Sequence, residues 1–341
     1  MSIPLGLRLP PCAPAAEVAA AARRAEQLGF AEIFLPDSRM LWRDPFLTAY
    51  AVAGETSSIR IGTAVSNVVT RHPTVLAGLT RTIGEMAPGR FDLGVGIGNS
   101  SVEPVGLRPS RRAELRAGVE TIRACLNGDT VDFGTAQTRM RDPLPGVKIL
   151  MAASGPRSLA LAGAIADGAI LLSGVSPDAI GRARALVDQG ANQAGRASSD
   201  VSVIVSAYAH ITDDLERDAR MLKPVCAGIA QRGGRTSLAA AGIDVDVPAS
   251  VPEVYPDLVH AEDWDCAVEV CGQWISDADA VRFAEEFCLF GSIESVRKKL
   301  DDAERAGAMA VFVQHVGSYD LPHELIEQFG TRVIPAEAGI R

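Results

Sequence analysis

Three short motifs place small residues beside hydroxyl, amide or charged groups where predicted strands end. The first is Gly62–Asn67, which closes a strand and is followed by Thr70–Pro73, where Pro73 opens a helix. Small residues at the end of a strand allow a flat ring to approach the backbone. A buried strand followed by a proline-started helix explains the same residues equally well, so the motif alone leaves both interpretations open.

The second motif is a strand that runs into glycines, Gly89–Asn99. Glycines in this setting indicate close approach of the backbone to a ligand. The spacing is not a dinucleotide fingerprint, because the third glycine position falls at Asn99 or at Ser101. Taken by itself, the motif is better explained by a crowded strand end where only glycine fits.

The third motif, Ala152–Arg157, has the chemistry of a phosphate site. A helix predicted to begin at Pro156 presents free N–H groups and a positive dipole end. Ser154 adds a hydroxyl, Gly155 permits close approach, and the arginine adds charge. The next strand ends in Leu172–Val175, so two adjacent loops could share the phosphate. The alternative interpretation is an ordinary serine-capped helix.

The elements that must position these motifs alternate between strands and helices. Eight such units favour a closed (β/α)8 TIM barrel of the α/β class, as a single domain over residues 1–341. Residues 213–287 contain helical patches and no confident strand, which predicts a lid-like helical insertion between strands seven and eight. The predicted strands are Pro4–Leu9, Glu32–Leu35, Arg60–Ser66, Arg90–Gly96, Lys148–Ala153, Gly168–Leu172, Val201–Ile211 and Ala310–His315.

Composition excludes several classes of protein. The formal net charge of −9 argues against a nucleic-acid-binding surface. The chain has no apolar run of about 18 residues and no secretory leader, so we expect no membrane span and a cytoplasmic location. Six scattered cysteines without a CxxC pair predict reduced thiols. The histidines lack metal-ligand spacing and no GxSxG motif occurs, so we expect neither a metal site nor a hydrolase nucleophile.

In this order the motifs resemble the luciferase-like monooxygenase superfamily, and within it the F420-dependent, methylenetetrahydromethanopterin reductase-like branch. The resemblance extends from Gly6 to about Ile334, except residues 127–147 and much of 213–287. It implies a flavin or deazaflavin held by its phosphate, with a non-prolyl cis peptide between Ala64 and Val65 under the ring. The cofactor-binding residues that it implies are Asp37, Ala64, Val65, Asn67, Gly96, Gly98, Asn99, Ala153, Ser154, Gly155, Pro156, Gly174 and Val175.

The chain departs from this family's sugar-phosphate dehydrogenases at two positions. Those enzymes follow the acidic residue with a catalytic histidine, where this chain has Ser38, and use a glutamate where it has Asn99. The departures argue against glucose-6-phosphate oxidation. Proximity to the motifs leaves Asp37, His72 and Glu103 as candidate catalytic acids or bases.

The leading functional prediction is hydride transfer between coenzyme F420 and a small organic substrate, by a homo-oligomer, expected to be a dimer. One alternative is an FMN-dependent monooxygenase that uses dioxygen and reduced flavin from a flavin reductase partner; another is a non-catalytic flavin- or deazaflavin-binding barrel. F420 carries a polyanionic tail, which needs a basic rim, unless the arginines in question are only solvated helix-surface residues. The candidate rim residues are Arg39, Arg43, Arg71, Arg108, Arg111 and Arg112.

Overall fold

A computed structural model describes residues 3–172, 174–317 and 319–334 and contains a closed barrel of parallel strands. Neighbouring barrel strands pair in the order β1-β2-β3-β5-β8-β9-β10-β12, and β12 pairs with β1 to close the ring. The (β/α)8 prediction is therefore confirmed. The strands are β1 (Leu5–Arg8), β2 (Glu32–Leu35), β3 (Arg60–Thr63), β4 (Ser66–Asn67), β5 (Phe91–Gly96), β6 (Val131–Asp132), β7 (Gln137–Thr138), β8 (Lys148–Ala153), β9 (Gly168–Leu171), β10 (Ser202–Ile211), β11 (Leu289–Gly291) and β12 (Ala310–Gln314).

Helices follow the barrel strands and cover their outer faces. None of those in the described ranges is both long and apolar enough to cross a membrane. The helices are α1 (Ala15–Gln27), α2 (Pro45–Glu55), α3 (Pro73–Met86), α4 (Arg112–Asn127), α5 (Pro156–Ile165), α6 (Pro177–Gln193), α7 (Leu215–Asp218), α8 (Lys223–Ile229), α9 (Arg235–Ala240), α10 (Trp264–Cys271), α11 (Asp277–Phe287), α12 (Ile293–Arg305) and α13 (His323–Arg332).

Strand alternation divides the core into two layers, because successive side chains point to opposite faces. In β1, Leu5 and Leu7 join the large core between barrel and helices. Residues on the opposite face fill the inside of the barrel, where the rings of Phe34 and Phe312 lie 4.5 Å apart. The barrel is thus closed by packed apolar side chains at its middle, and a ligand can enter only at an end.

The predicted third strand, Arg60–Ser66, is interrupted in the structure. Strand β3 ends at Thr63, the peptide between Ala64 and Val65 is cis as the resemblance implied, and β4 resumes beside β5. A Cβ at Gly94 would lie 1.8 Å from the Thr63 carbonyl oxygen. A Cβ at Gly96 would lie 2.8 Å from Val65 Cγ2. The glycines of β5 are therefore explained by packing against this bulge.

The segment 213–287 is helical, as predicted, and has a core of its own. Helices α7–α11 bury Leu222, Val225, Leu238 and Phe283 away from the barrel core. Two strand pairings were not predicted. Strand β11 pairs in parallel with the last residues of β10. Strands β6 and β7 form an antiparallel hairpin within residues 127–147. The role of residues 213–287 as a lid stays a prediction.

Candidate active site

The C-terminal rim, meaning the edge formed by residues that follow the barrel strands, gathers the predicted motifs. All barrel strands are parallel, so their carboxyl ends share one edge, where barrel enzymes carry their active sites. The predicted residues that reach it are Asp37 after β2, Ala64 and Val65 after β3, Gly98 and Asn99 after β5, Ser154 and Gly155 after β8, and Gly174 after β9.

Asp37 is buried in a network of side chains rather than open to the barrel mouth. Its Oδ2 accepts a hydrogen bond of 2.7 Å from Ser66 Oγ and forms an ion pair with Arg71. Its Oδ1 has no hydrogen-bond partner among the described residues. Burial raises the pKa of the Asp37 carboxyl, and the charge of Arg71 opposes that rise. Asp37 therefore ties the end of β2 to the bulge.

The prediction that Arg71 belongs to a basic rim is wrong. Its side chain is only 6% exposed, pairs with both Asp37 and Asp44, and lies 4.8 Å from the centre of the Phe46 ring. Two carboxylates and an aromatic face hold the guanidinium inside. The other five predicted rim arginines are exposed: Arg39, Arg43, Arg108, Arg111 and Arg112.

Ser38 and Asn99, the two positions that distinguish the chain from sugar-phosphate dehydrogenases, both follow barrel strands at the C-terminal rim. The hydroxyl of buried Ser38 lies 2.7 Å from the hydroxyl of Ser100. Asn99 is exposed, and its carbonyl accepts from the backbone N–H groups of Val102 and Glu103. Neither Ser38 nor Asn99 ionises near neutral pH, so neither side chain can act as a general acid or base there.

Asn67 uses its side chain to shape a loop. Its amide donates to Ser101 Oγ at 3.0 Å, and its oxygen accepts from the backbone N–H groups of Val69 and Thr70. Gly98 adopts φ +78°, and a Cβ there would lie 2.9 Å from a methyl carbon of Val102. Only their backbone atoms are available to a cofactor.

The loop after β8 keeps an open helix N-terminus. Gly155 precedes Pro156, the first residue of α5, and a Cβ built on Gly155 meets nothing within 4 Å. Ser154 beside it is exposed. Pro156 has no N–H and the Ser158 N–H donates to the Gly155 carbonyl, so the N–H groups of Gly155 and Arg157 are the ones in this turn that can bind an anion. Ala153 points into the outer core at 4% exposure, so its side chain cannot take part.

Gly174 has a second reason to be glycine besides a phosphate. It adopts φ +94°, and a Cβ there would lie 2.8 Å from the Phe287 ring at the end of α11. Packing against the helical insertion therefore accounts for its type. Val175 is buried in the outer core, which leaves only its backbone for a ligand. Ser173, part of the predicted Leu172–Val175 motif, lies outside the described residues.

The remaining catalytic candidates are exposed. His72 caps α3 by accepting from the Thr74 N–H, and its ring lies 6.0 Å from Phe133 in the β6–β7 hairpin. Glu103 begins a short 3-10 turn and is also exposed. The structure thus gives His72 a capping contact, and the catalytic roles of His72 and Glu103 stay predictions.

Comparisons with known proteins give a family and a fold that agree with this barrel. The sequence profile described as luciferase-like monooxygenase matches residues 4–310. The chain belongs to this family. A solved structure of coenzyme F420 dependent tetrahydromethanopterin reductase from Methanopyrus kandleri matches with a TM-score of 0.80 at 22% identity. That match covers 98% of this chain and 99% of the other, and it shows the fold.

Two curated relatives of this luciferase-like protein have names that belong to the predicted branch of the family. It is 29% identical over 255 residues to 5,10-methylenetetrahydromethanopterin reductase of Methanolobus tindarius, covering 72% of this chain and 77% of that protein. It is 35% identical over 227 residues to F420-dependent glucose-6-phosphate dehydrogenase of Nakamurella multipartita. That second match covers 59% of this chain and 65% of the relative.

This luciferase-like barrel has two unlike walls at its mouth. The apolar wall consists of Ala64 and Val65 in the bulge, Gly96 on β5 and Ala152 on β8. The polar wall consists of Arg8, Gln314 and Tyr208 on β1, β12 and β10. The apolar wall suits a flat ring, whereas the polar wall can bind charge.

Sequence reasoning missed the polar wall, although its first member gave a signal. In Leu5–Leu9 every second residue is leucine, and the two between them are glycine and arginine. A charged side chain on the inner face of a barrel strand is exceptional, because that face is normally packed with branched apolar residues. Its presence close to the C-terminal rim indicates a ligand-facing position.

Proposed function

We propose that this protein transfers a hydride between coenzyme F420 and a small organic substrate. The observation that carries the proposal is the bulge at Ala64 and Val65, which presents an apolar surface at the barrel mouth beside the open N-terminus of α5. Named relatives that work with F420 support the choice of cofactor. When bound, F420 supplies a centre that accepts or donates two electrons as a hydride; the protein supplies position and electrostatics.

The described residues fit such a cofactor in three places. The apolar wall offers a flat surface for the ring, since Gly96 leaves no side chain between Val65 and Ala152. Ser154 and Gly155 offer a hydroxyl and free N–H groups to a phosphate. Exposed arginines supply positive charge for a polyanionic tail in a chain whose net charge is −9. Backbone groups of Asn67, Gly98, Asn99, Pro156, Gly174 and Val175 complete the proposed binding set.

Asp37 would contribute to this function without touching the substrate. Its bonds to Ser66 and Arg71 hold the bulge against β2, which fixes the surface under the ring. Because its carboxyl is buried, it cannot exchange protons with the mouth in this conformation. We therefore propose Asp37 as a positioning residue.

The substrate proposed here is not a sugar phosphate. Ser38 and Asn99 lie at the positions where those dehydrogenases use a histidine and a glutamate. The hydroxyl of Ser38 is hydrogen-bonded to the hydroxyl of Ser100. A hydride acceptor or donor without those groups needs only orientation and a site for charge, which the polar wall can supply. We propose a small organic molecule held between the two walls.

We also propose that the protein is a homodimer. Leu47 and Tyr50 on α2 are 70% and 46% exposed, and Val75 on the adjoining α3 is 49% exposed. Large exposed apolar side chains gathered on neighbouring helices are typical of an interaction surface. A second copy of this chain would cover them through the same patch, as a two-fold interface requires.

Oxygen uptake tests the proposal against its rivals. Apoprotein is mixed with chemically reduced FMN or reduced F420 in aerated buffer, and dioxygen is followed with an electrode. We expect F420 to bind and the protein to cause no additional oxygen uptake with either cofactor. Protein-dependent oxygen uptake with reduced FMN would establish the monooxygenase alternative, with a flavin reductase as partner. Binding of F420 with no turnover on any substrate would establish the non-catalytic barrel.

A further inference from the structure

The polar wall lies across the barrel mouth from the apolar wall. In the closed strand order, β10, β12 and β1 are consecutive, and β2 and β9 separate them from β3, β5 and β8. Tyr208 is level with Gln314 in the parallel register, and the register that pairs Leu7 with Val313 places Arg8 level with Gln314. The three polar side chains therefore form one row that faces the proposed ring surface.

Arg8 has no acidic partner among the residues that the structure describes. Its guanidinium lies 5.0 Å from the centre of the Trp42 ring, and no hydrogen bond or ion pair joins it to another side chain in residues 3–172, 174–317 and 319–334. None of its nitrogens is among the solvent-inaccessible atoms without a partner. A partly buried cation that is stacked in place, unpaired and open to the mouth is available to a ligand.

The surrounding charges leave Arg8 as a single positive charge on this wall. Arg232 of the insertion is paired with Asp257 at 3.2 Å, and that carboxylate also binds His260. Burial lowers the pKa of His315 to about 4, with Arg8 adding to the effect, so the imidazole is neutral near pH 7. The wall therefore matches a ligand with one negative charge better than one with two.

We propose that Arg8, with Gln314 and Tyr208 beside it, binds a carboxylate group of the substrate. The inference rests on the proposed function, which places the ring on the opposite wall. The planar guanidinium matches a carboxylate in geometry and charge. Burial raises the pKa of the Tyr208 hydroxyl, which keeps it protonated as a donor. Gln314 donates to Ser206 Oγ at 3.3 Å and has a second amide hydrogen to offer.

The substrate class is therefore a small monocarboxylic acid whose remaining atoms are redox-active. A phosphate dianion would call for a second cation, and the described residues of this wall supply none. A neutral alcohol or ketone would leave Arg8 desolvated and unpaired in the complex, at a cost in affinity. Recognition of the acid group fixes the position of the molecule relative to the apolar wall.

Calorimetric titration of apoprotein tests the assignment without turnover. The probes are acetate, butyrate and hexanoate, each compared with its primary amide, and inorganic phosphate. The variants are Arg8→Gln and Tyr208→Phe, with Arg116→Gln as a control of equal charge change on the exposed face of α4, where Arg116 pairs with Glu120. F420 is titrated separately into each protein by fluorescence quenching.

We expect at least one acid to bind roughly tenfold to a hundredfold more tightly than its amide, as charge-assisted hydrogen bonds predict. Arg8→Gln should abolish that preference, Tyr208→Phe should reduce it severalfold, and Arg116→Gln should keep it. Acids and amides binding alike, an unchanged preference in Arg8→Gln, or phosphate binding more tightly than any acid through Arg8 would overturn the inference. If any of these three outcomes occurs while F420 binds normally, the carboxylate site is wrong and the proposed function stands. Absent F420 binding with an Arg8-dependent acid preference would overturn the proposed function and keep the carboxylate site.

Discussion

The carboxylate of Asp37 and the hydroxyl of Ser66 lie 2.7 Å apart and join the end of β2 to the strand segment that follows the bulge. Ser66 is fully buried, and Asp37 is anchored in turn by Arg71. The bulge is thereby fixed from its downstream side by a charged network with almost no access to water. The apolar surface proposed for the ring depends on this network.

Replacing Asp37 with asparagine should weaken the fold and the cofactor site together. Asp37→Asn keeps the shape and removes the charge, leaving buried Arg71 with Asp44 as its remaining acidic partner. We expect the free energy of unfolding to fall by roughly 3–5 kcal/mol, as for other broken buried ion pairs. Urea unfolding measures the loss. Glu120→Gln, which removes an exposed partner of Arg116, should cost less than about 0.5 kcal/mol; equal losses in both variants would contradict the account.

The opposite end of the barrel should make stability depend on pH. Buried Glu32 lies beside Asp92, and burial together with that neighbouring charge raises the pKa of Glu32 to about 8. Between its ordinary pKa of about 4.5 and pH 8, the folded protein holds a proton that the unfolded chain has released. The resulting stabilisation is complete below pH 4.5 or so and is lost as the pH rises towards 8.

Glu32→Gln should remove this dependence. For one proton the wild-type free energy of unfolding falls by at most about 1.4 kcal/mol per pH unit across that window. The variant should show a flatter profile and greater relative stability at pH 8 and above, measured by urea unfolding at several pH values. Glu55→Gln, at an exposed pair with Arg23, is the control and should leave the slope unchanged. A Glu32→Gln slope equal to that of the wild type would show that Glu32 is ionised throughout.

A carboxylate at position 155 should block the phosphate site without harming the fold. A Cβ on Gly155 meets nothing within 4 Å and the backbone is not in a glycine-only conformation, so Gly155→Asp should fold normally. Repulsion from the phosphate should weaken cofactor binding tenfold or more, equivalent to at least about 1.4 kcal/mol. Gly181→Asp, at an equally open position on α6, is the matched control. Cofactor affinity within about twofold of wild type in Gly155→Asp would remove Ser154 and Gly155 from the site.

Charge on the exposed face of α2 should separate the proposed dimer. Leu47→Glu places a carboxylate on the most exposed of the three apolar residues of the proposed interface, where burial against a second copy would be unfavourable. Light scattering coupled to size exclusion should show a dimer for the wild type and a monomer for the variant. Met309→Glu, at another exposed apolar residue away from α2, should remain dimeric. A monomeric wild type, or a dimer in Leu47→Glu, would refute the assigned surface.

The barrel could be predicted because the patterns that indicate its strands and helices lie within short segments of the sequence. Strand and helix alternation is set by side chains within each segment, and the resemblance supplied the cis peptide at Ala64 and Val65. What the sequence could not reveal depends on partners distant along the chain. Arg71 was predicted to lie at the surface because its partners Asp37 and Asp44 are distant from it in sequence. Nor could the sequence reveal that Gly174 packs against Phe287, which lies far along the chain.

Binding selectivity at two ionic strengths tests the central claim most directly. Apoprotein is titrated with F420 and with FMN at low and at high salt, followed by fluorescence quenching. The polyanionic tail of F420 would lie near exposed arginines such as Arg39 and Arg112, whose charges are screened within roughly 8–10 Å at 0.1–0.15 M salt. We predict that F420 binds more tightly than FMN at low salt and weakens steeply as salt is added, while FMN weakens much less. Tighter binding of FMN at every salt concentration, with a flat salt dependence for F420, would contradict the account.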